Sequence, residues 1–421
     1  MGRGPLENKT VLMLVGNNIV RDARVQKEAN SLVSSGAQVV IFPGDSNVCE
    51  EFKDSVSFDV VIPEEQHPPA VPRLSRFGRE EVLLPLRALV NLTLTNYRAW
   101  RYRRELSQYE QRASHEQCKF TAFRQDMLDT ARSYDFDAVH CHDLDMLYTG
   151  FLIAREQSAV LIYDSHELYL EIKSLSEEIR ELFAEIEEYV FPHIDALITV
   201  SPQIGERLCE KYKRHDIDPV VLYNGGALVV ESVSKVSYPV KLIFQGKFAR
   251  NRNLLELVSA MPSLRGRATL TLQGWDGDEQ ALESLVDDLE LNDMVRIVPP
   301  APPLEVVTAA ASHDVGVINS VPADENFMVT LPNKLFDYMC AGLAVASTDL
   351  PPIKEVIESA GCGITYAQQG VAHTAEELGK LVEDPQKIYK MKKMSLAAAS
   401  QYAWQTQEKK LIALYVDLLK R

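Results

Sequence analysis

Residues 330–352 read TLPNKLFDYMCAGLAVASTDLPP. The pattern predicts loop, helix, turn, strand and loop. Pro332 suits the first turn of a helix, where its missing N–H would have no partner anyway. Leu335, Phe336 and Met339 recur at helical spacing and predict a core-facing stripe. Gly342 is a helix stop able to take a positive φ. Leu343 to Ser347 then predicts a short strand. A helix opened by a tight loop offers free N–H groups and the positive end of its dipole, which suits a phosphate. Lys334 adds a mobile cation in the first turn, and Asp337, three residues on, shares its face. A phosphate-reading cation beside a hydroxyl-reading carboxylate is what a nucleotide sugar requires. The alternative is an ordinary αβ unit with surface charges.

The surrounding 421 residues predict two or three domains with ample core. Hydrophobic content of 46% and charged content of 25% are ordinary for a globular protein. A formal net charge of −16 argues against general nucleic-acid binding. The six cysteines (49, 118, 141, 209, 340, 362) show no CxxC spacing, which predicts buried free thiols in a reducing, cytoplasmic setting. Val11 to Val15 is too short for a signal sequence and reads as a strand. No apolar run reaches the roughly 18 residues of a membrane span. The opening MGRGPLEN predicts a disordered leader or an expression remnant.

Upstream, Thr10 to Val15 is a continuous apolar strand of the kind buried on both faces of a parallel sheet. The loop GNNIVRDAR, a helix over about 23–35 and a strand over 38–42 complete a βαβ unit. That predicts a doubly wound parallel sheet, with ligands beyond the carboxyl ends of its strands. Gly16, Asn17, Asp22 and Arg24 therefore line a candidate cleft. The loop lacks GxGxxG, so a dinucleotide is not indicated.

Residues 73–112 carry nine arginines against four glutamates, a local +5 in an acidic chain. Such a segment, also rich in Leu, Tyr and Trp, suits an anionic membrane surface or an anionic acceptor. A helical insertion with a solvated basic face is the alternative.

Asp137 to His140 predicts a strand ending in His140, His142, Asp143 and Asp145. HxH beside DxD raises a metal site. A polar strand end facing a substrate cleft is the preferred reading, with no metal. Val160 to Tyr163 runs into Asp164-Ser165-His166-Glu167, where a histidine flanked by carboxylates suits a sugar or phosphate contact or a structural role. Glu171 to Phe191 predicts one long acidic helix, 195–200 a strand, and Ser201-Pro202 the cap of a helix to about Lys213.

After Val220 to Leu222 and a linker at 227–239, the same grammar repeats. Strands are predicted at 241–245, 269–273, 295–298, 314–318 and 361–366, besides the one at 343–347. Helices are predicted at 254–260, from the GWDGDE loop to 289, and at 305–311, 375–400 and 404–419. The loop Gly246 to Asn253 places Lys247, Arg250 and Arg252 at a strand end, which suits a pyrophosphate. Asp276-Gly277-Asp278 reads as turn chemistry. The sum is two Rossmann-like domains facing each other across a cleft. The first spans 9–226 and is completed by a C-terminal helix over 402–421; the second spans 240–401.

In order and spacing, these motifs resemble glycosyltransferase family 4, with the GT-B fold. RDARVQKEANSLVSSGAQVVIF, VHCHDLD, LIYDSHEL, LITVSPQIGERL and LYNGG resemble landmarks of its acceptor domain. LIFQGKF…RNLLELV and LPNKLFDYMCAGLAVASTDLPPIKEVI resemble its donor-domain signatures. YAWQTQEKKLIALY resembles its terminal crossing helix. The resemblance implies retaining, metal-independent sugar transfer from a nucleotide sugar, most simply a UDP-sugar, with no further cofactor. It implies that Lys247 and Arg252, with Gly246 and Arg250 beside them, hold the donor diphosphate. His166 would lie by the donor sugar and Asp337 would read the ribose. Amides of Leu331, Pro332's neighbour Asn333, and Lys334 would touch phosphate or sugar, and Gly16 and Asn17 would sit near the reacting centre. Asp22, Arg24, His142 and Asp143 are the acceptor-side candidates.

Two positions depart from the family pattern. The first of two glutamates spaced eight apart is Val329, and a lysine common after the diphosphate arginine is Asn253. A non-catalytic GT-B subunit and a UDP-sugar epimerase are the competing readings.

Overall fold

The structure is a computed structural model that describes residues 4–20, 22–46, 48, 50–63, 124–226, 230–302, 305–322 and 325–420. The basic segment 73–112, and with it the expected membrane contact, lies outside the described residues.

Among the described residues the strands form two all-parallel sheets. The first holds β1 (Thr10–Val15), β2 (Gln38–Pro43), β3 (Asp59–Val60), β4 (Ala138–His142), β5 (Val160–Ser165), β6 (Ala196–Thr199) and β7 (Val220–Val221). Its order is β3-β2-β1-β4-β5-β6-β7. The second holds β8 (Val240–Phe248), β9 (Ala268–Gly277), β10 (Val295–Val298), β11 (Val315–Ile318), β12 (Ala344–Thr348) and β13 (Gly363–Tyr366), in the order β10-β9-β8-β11-β12-β13. The apolar runs of β1, β4, β11 and β12 are buried along their lengths because helices cover both faces. Strand order reverses beside β1 and beside β8, so crevices open at the carboxyl ends of those two strands.

The chain returns to the first sheet at its end. Ala403 breaks the helical path between Pro385–Tyr402 and Trp404–Leu419. Leu411, Tyr415 and Leu418 then pack in one apolar cluster with Val11 and Met13 of β1. Trp404 donates its indole N–H to Ser31 Oγ at 2.9 Å, satisfying a buried donor.

Several local expectations need correcting. The acidic helix spans Glu177–Val190, not 171–191, because Ser176 caps it by accepting from the Ile179 N–H. β9 runs on through the GWDG stretch, since Gly246, Lys247 and Phe248 of β8 extend the ladder to Gly274, Trp275 and Gly277 across a bulge. The predicted helix 375–400 is two helices, Val371–Val382 and Pro385–Tyr402, with Asp384 capping the second. Pro332 stands just before the helix Asn333–Cys340 rather than in its first turn. Within the supposed leader, Leu6 is buried and its N–H donates to Ser35 O. Cys141, Cys209, Cys340 and Cys362 are buried free thiols. No helix among the described residues is long and apolar enough to cross a membrane.

Candidate active site

The helix Asn333–Cys340 opens onto a cavity of 310 Å³ at the carboxyl end of β8. Gly246, Arg252, Pro332, Asn333, Lys334 and Asp337 line it. Gly246 takes φ +130°, a conformation that favours glycine, and a Cβ there would stand 3.2 Å from Lys334 Nζ. The lysine therefore reaches over β8 through the gap that the missing side chain leaves. Its ammonium sits 3.9 Å from the centre of the Phe244 ring, and the residue is half-buried. Burial pushes the Lys334 amine well below the usual lysine range, and the nearby Arg252 charge adds to this.

Arg252 donates a long 3.4 Å hydrogen bond to Ser320 Oγ and lies over the Phe327 ring at 5.4 Å. Among the described residues neither Arg252 nor Lys334 has a carboxylate within ion-pair distance. Burial raises the Asp337 carboxyl to about 6, against the pull of Lys27 and Lys334. Two desolvated cations without anionic partners create a strong local demand for an anion.

The other diphosphate candidates lie elsewhere in this conformation. Lys247 Nζ is 2.8 Å from Asp276 Oδ2, and Arg250 is exposed, 3.8 Å from Asp278. Neither lines the cavity. Asp276 and Asp278 are thereby occupied by cations of the same loop pair.

Across from this cavity, the ends of β4 and β5 bring His142, Asp143, Asp164 and His166 together. Asp143 adopts φ +62°, a rare conformation for a residue with a side chain. That turn lets its carboxylate accept from the His166 N–H at 2.9 Å and stand 3.2 Å from His166 Nδ1. On the other side, His166 Nε2 is 3.2 Å from Asp164 Oδ2. Burial works against an imidazolium here, but the two carboxylates raise His166 well above the usual histidine range. Gly16 is required where it stands: a Cβ would come 2.0 Å from Asp145 Oδ2. Asn17 donates to Asp22 at 2.8 Å, and Asp22 in turn accepts from the Val25 N–H and caps helix 23–34.

Arg24 and His142 do not line a cleft as expected; both are buried beneath it. Arg24 donates twice to Asp164, at 2.9 and 2.7 Å, and once to Leu222 O, and it lies 3.0 Å from Glu28 Oε1. These carboxylates hold the guanidinium charged against its burial. Glu28, His140, His142 and Asp164 offer ligand atoms within 4.8 Å of one another, a metal-like constellation. Arg24 contacts both of its carboxylates, whereas His140 Nε2 and His142 Nε2 have no hydrogen-bond partner among the described residues.

Val329, at the departing glutamate position, packs in the apolar core of the first domain. Its carbonyl accepts from Ser201 Oγ at 2.6 Å. Asn326 joins the same contact, exchanging hydrogen bonds with both backbone groups of Leu168. An apolar residue suits 329 because the position plugs the neighbouring domain. Glu325 is exposed and pairs with Arg207 at 3.6 Å.

This geometry coincides with two family models. Residues 24–226 match the model described as Glycosyltransferase Family 4, and residues 239–384 match Glycosyl transferases group 1. The chain belongs to glycosyltransferase family 4. The D-inositol 3-phosphate glycosyltransferase of Corynebacterium urealyticum is 27% identical over 140 residues, 33% of this chain but 31% of that relative's length. D-inositol 3-phosphate glycosyltransferase 1 of Catenulispora acidiphila is 22% identical over 308 residues, covering 67% of this chain and 72% of its own. Among solved structures, sucrose-phosphate synthase from Thermosynechococcus elongatus aligns with TM-score 0.67 at 14% identity, over 98% of this chain and 100% of that one. Anabaena HepE, solved in complex with UDP and glucose, aligns with TM-score 0.68 at 13% identity, over 97% and 100%. At these identities the structures establish the GT-B fold.

Sequence reasoning missed Lys27, Trp275 and Gln245, which also border the cavity system. Gln245 sits inside an apolar strand, and that interruption was a usable signal. Lys27 lies in a helix of ordinary charged pattern, with nothing local to mark its burial.

Proposed function

We propose that the chain is a retaining glycosyltransferase that moves a sugar from a UDP-sugar to an acceptor hydroxyl. The observation that carries this reading is the cavity at β8, where Arg252 and Lys334 stand without anionic partners beside Asp337. A diphosphate supplies the missing charge, and its leaving-group charge grows in the transition state, so fixed cations there favour transfer. Asp337 accepts from ribose hydroxyls, and the backbone N–H groups of Leu331, Asn333 and Lys334 meet phosphate or sugar. With cations in this place, departure of the diphosphate needs no metal. Lys247, near the end of β8, and Arg250, just beyond it, swing their side chains to the diphosphate when it binds. That HepE was solved with UDP and glucose supports the choice of base.

His166, with Gly16, Asn17, Asp22 and Asp143 around it, takes the donor sugar and the incoming hydroxyl. An imidazolium between two carboxylates donates hydrogen bonds but is a poor base. That disfavours an epimerase, which needs a proton acceptor at the sugar ring. The basic 73–112 segment supports an anionic or lipid-linked acceptor and work at the cytoplasmic membrane face. Arg101, Arg103 and Arg104 changed together to Glu then abolish salt-sensitive binding to anionic vesicles; binding indifferent to salt and to these changes contradicts it.

The test is incubation with UDP-glucose, UDP-galactose and UDP-N-acetylglucosamine, reading UDP release and the anomeric configuration of the product by NMR. Retention in the product, or slow UDP release without acceptor, supports transfer. Val329 is the observation favouring a non-transferring subunit, and nucleotide binding with no turnover of any donor is its expected result.

A further inference from the structure

A buried lysine of the first domain faces the far end of the donor cavity. Lys27 is 6% exposed, and its ammonium donates to Gly225 O at 2.6 Å. The Trp404 ring lies beneath it, 5.2 Å away. A lysine has three N–H donors. Among the described residues the other two have no acceptor. Beyond Asp337 the cavity continues into a second chamber of 440 Å³, walled by Trp275, Pro300, Val306 and Val307 and bordered by Lys27 and Asn224. Asn224 is 8% exposed, and its amide oxygen has no hydrogen-bond partner. Apolar walls of this kind suit a planar ring, and the convergent polar groups fix its orientation.

We propose that Lys27 is a specificity-determining residue that reads a carbonyl oxygen of the donor's base, with Asn224 meeting the adjacent N–H, so that the site takes an oxo base such as uracil and rejects adenine. This rests on the reading of the β8 cavity as a nucleoside diphosphate site. With the diphosphate at Arg252 and Lys334 and the ribose at Asp337, the base is the next group along and falls in the second chamber. An ammonium donates and never accepts. Uracil offers it carbonyl oxygens, whereas the amino group of adenine would leave two donors facing each other. Leaving buried donors unpaired is costly, which is how a polar site rejects the wrong ligand. Lys27 comes from the first domain and Asp337 from the second, so the base is read across the domain boundary.

The experiment is calorimetric titration of UDP and ADP into the full chain, as wild type, Lys27→Met and Arg252→Ala. Wild type binds UDP more tightly, and Lys27→Met weakens UDP by about tenfold or more while ADP changes little. Arg252→Ala weakens both nucleotides alike. An unchanged UDP-to-ADP ratio in Lys27→Met overturns the proposal while leaving the cavity reading intact. No binding of either nucleotide to wild type overturns both. Should Lys27→Met fail to fold, Lys27→Arg and Asn224→Ala serve: each lowers the ratio, and a ratio unchanged in both overturns the role of the pair.

Discussion

Two groups of charges face each other across this molecule, and they are built on opposite rules. Under β4 and β5, Arg24, Asp164, Asp143 and His166 are matched to one another, cation against carboxylate, with little exposure. At β8, Arg252 and Lys334 are half-buried and have no carboxylate within ion-pair distance among the described residues, lying instead against aromatic rings and an open cavity. A satisfied cluster holds a shape, whereas an unsatisfied one waits for a ligand. The first therefore holds His166 in place and favours its imidazolium form, and the second supplies attraction for an anion. The same residue type thus does different work on the two sides, and what its partners are decides which.

The largest effect comes from unbalancing the matched side. Arg24→Met leaves Asp164 and Glu28 buried without their cation, a loss of about 3–5 kcal/mol. Urea denaturation should show the unfolding free energy fall by that much. A change within about 0.5 kcal/mol, the range of ordinary surface substitutions, would erase the distinction between the two sides.

Next is the opposite manipulation on the unmatched side. Lys334→Met removes a desolvated cation that has no carboxylate within ion-pair distance among the described residues, so the free protein should keep or gain thermal stability. Nucleotide affinity should nevertheless fall by about 1.5–3 kcal/mol, the range for a hydrogen bond to a charged group. Loss of stability together with unchanged affinity would reverse the assignment.

Acidity separates the sides further. Asp337 is pushed up to about 6 by burial, so the carboxylate proposed to accept ribose hydroxyls is lost as pH falls through that value. UDP affinity should decline below about pH 6 in wild type and lose this dependence in Asp337→Asn. His166 behaves in the other sense. Its folded value is raised above 6.5 by Asp143 and Asp164, so its stabilising contribution is complete below 6.5. That contribution is lost as pH rises through the higher folded value. Denaturation midpoints measured upward from neutral pH should fall more steeply in wild type than in His166→Gln.

The smallest effect probes the outer edge of the matched side. Tyr415, on the returning C-terminal helix, stands 2.8 Å from His140 Nδ1. Tyr415→Phe should cost about 1 kcal/mol, the net worth of a neutral hydrogen bond, with nucleotide affinity untouched. Weaker UDP binding in this variant would mean that the two sides are not independent.

The fold was legible because buried parallel strands write continuous apolar runs, as in residues 11–15 and 343–346. The 330–352 stretch placed Lys334 and Asp337 on one helical face, and they do line one cavity. What stayed illegible depends on long-range pairing. Nothing near Arg24 announces Asp164, 140 positions away. β9 outruns its apolar pattern because β8 supplies the ladder that its own sequence does not demand. Val329 looked like a missing acid until its neighbours in the other domain were visible.

Titration calorimetry of UDP into wild type and Arg252→Ala tests the central claim most directly. The account predicts one site per chain in wild type and a loss of affinity of about tenfold to a hundredfold in the variant, with stability little changed. Equal UDP affinity in the two proteins would contradict it, since the unpartnered cations at β8 would then not be the anion site.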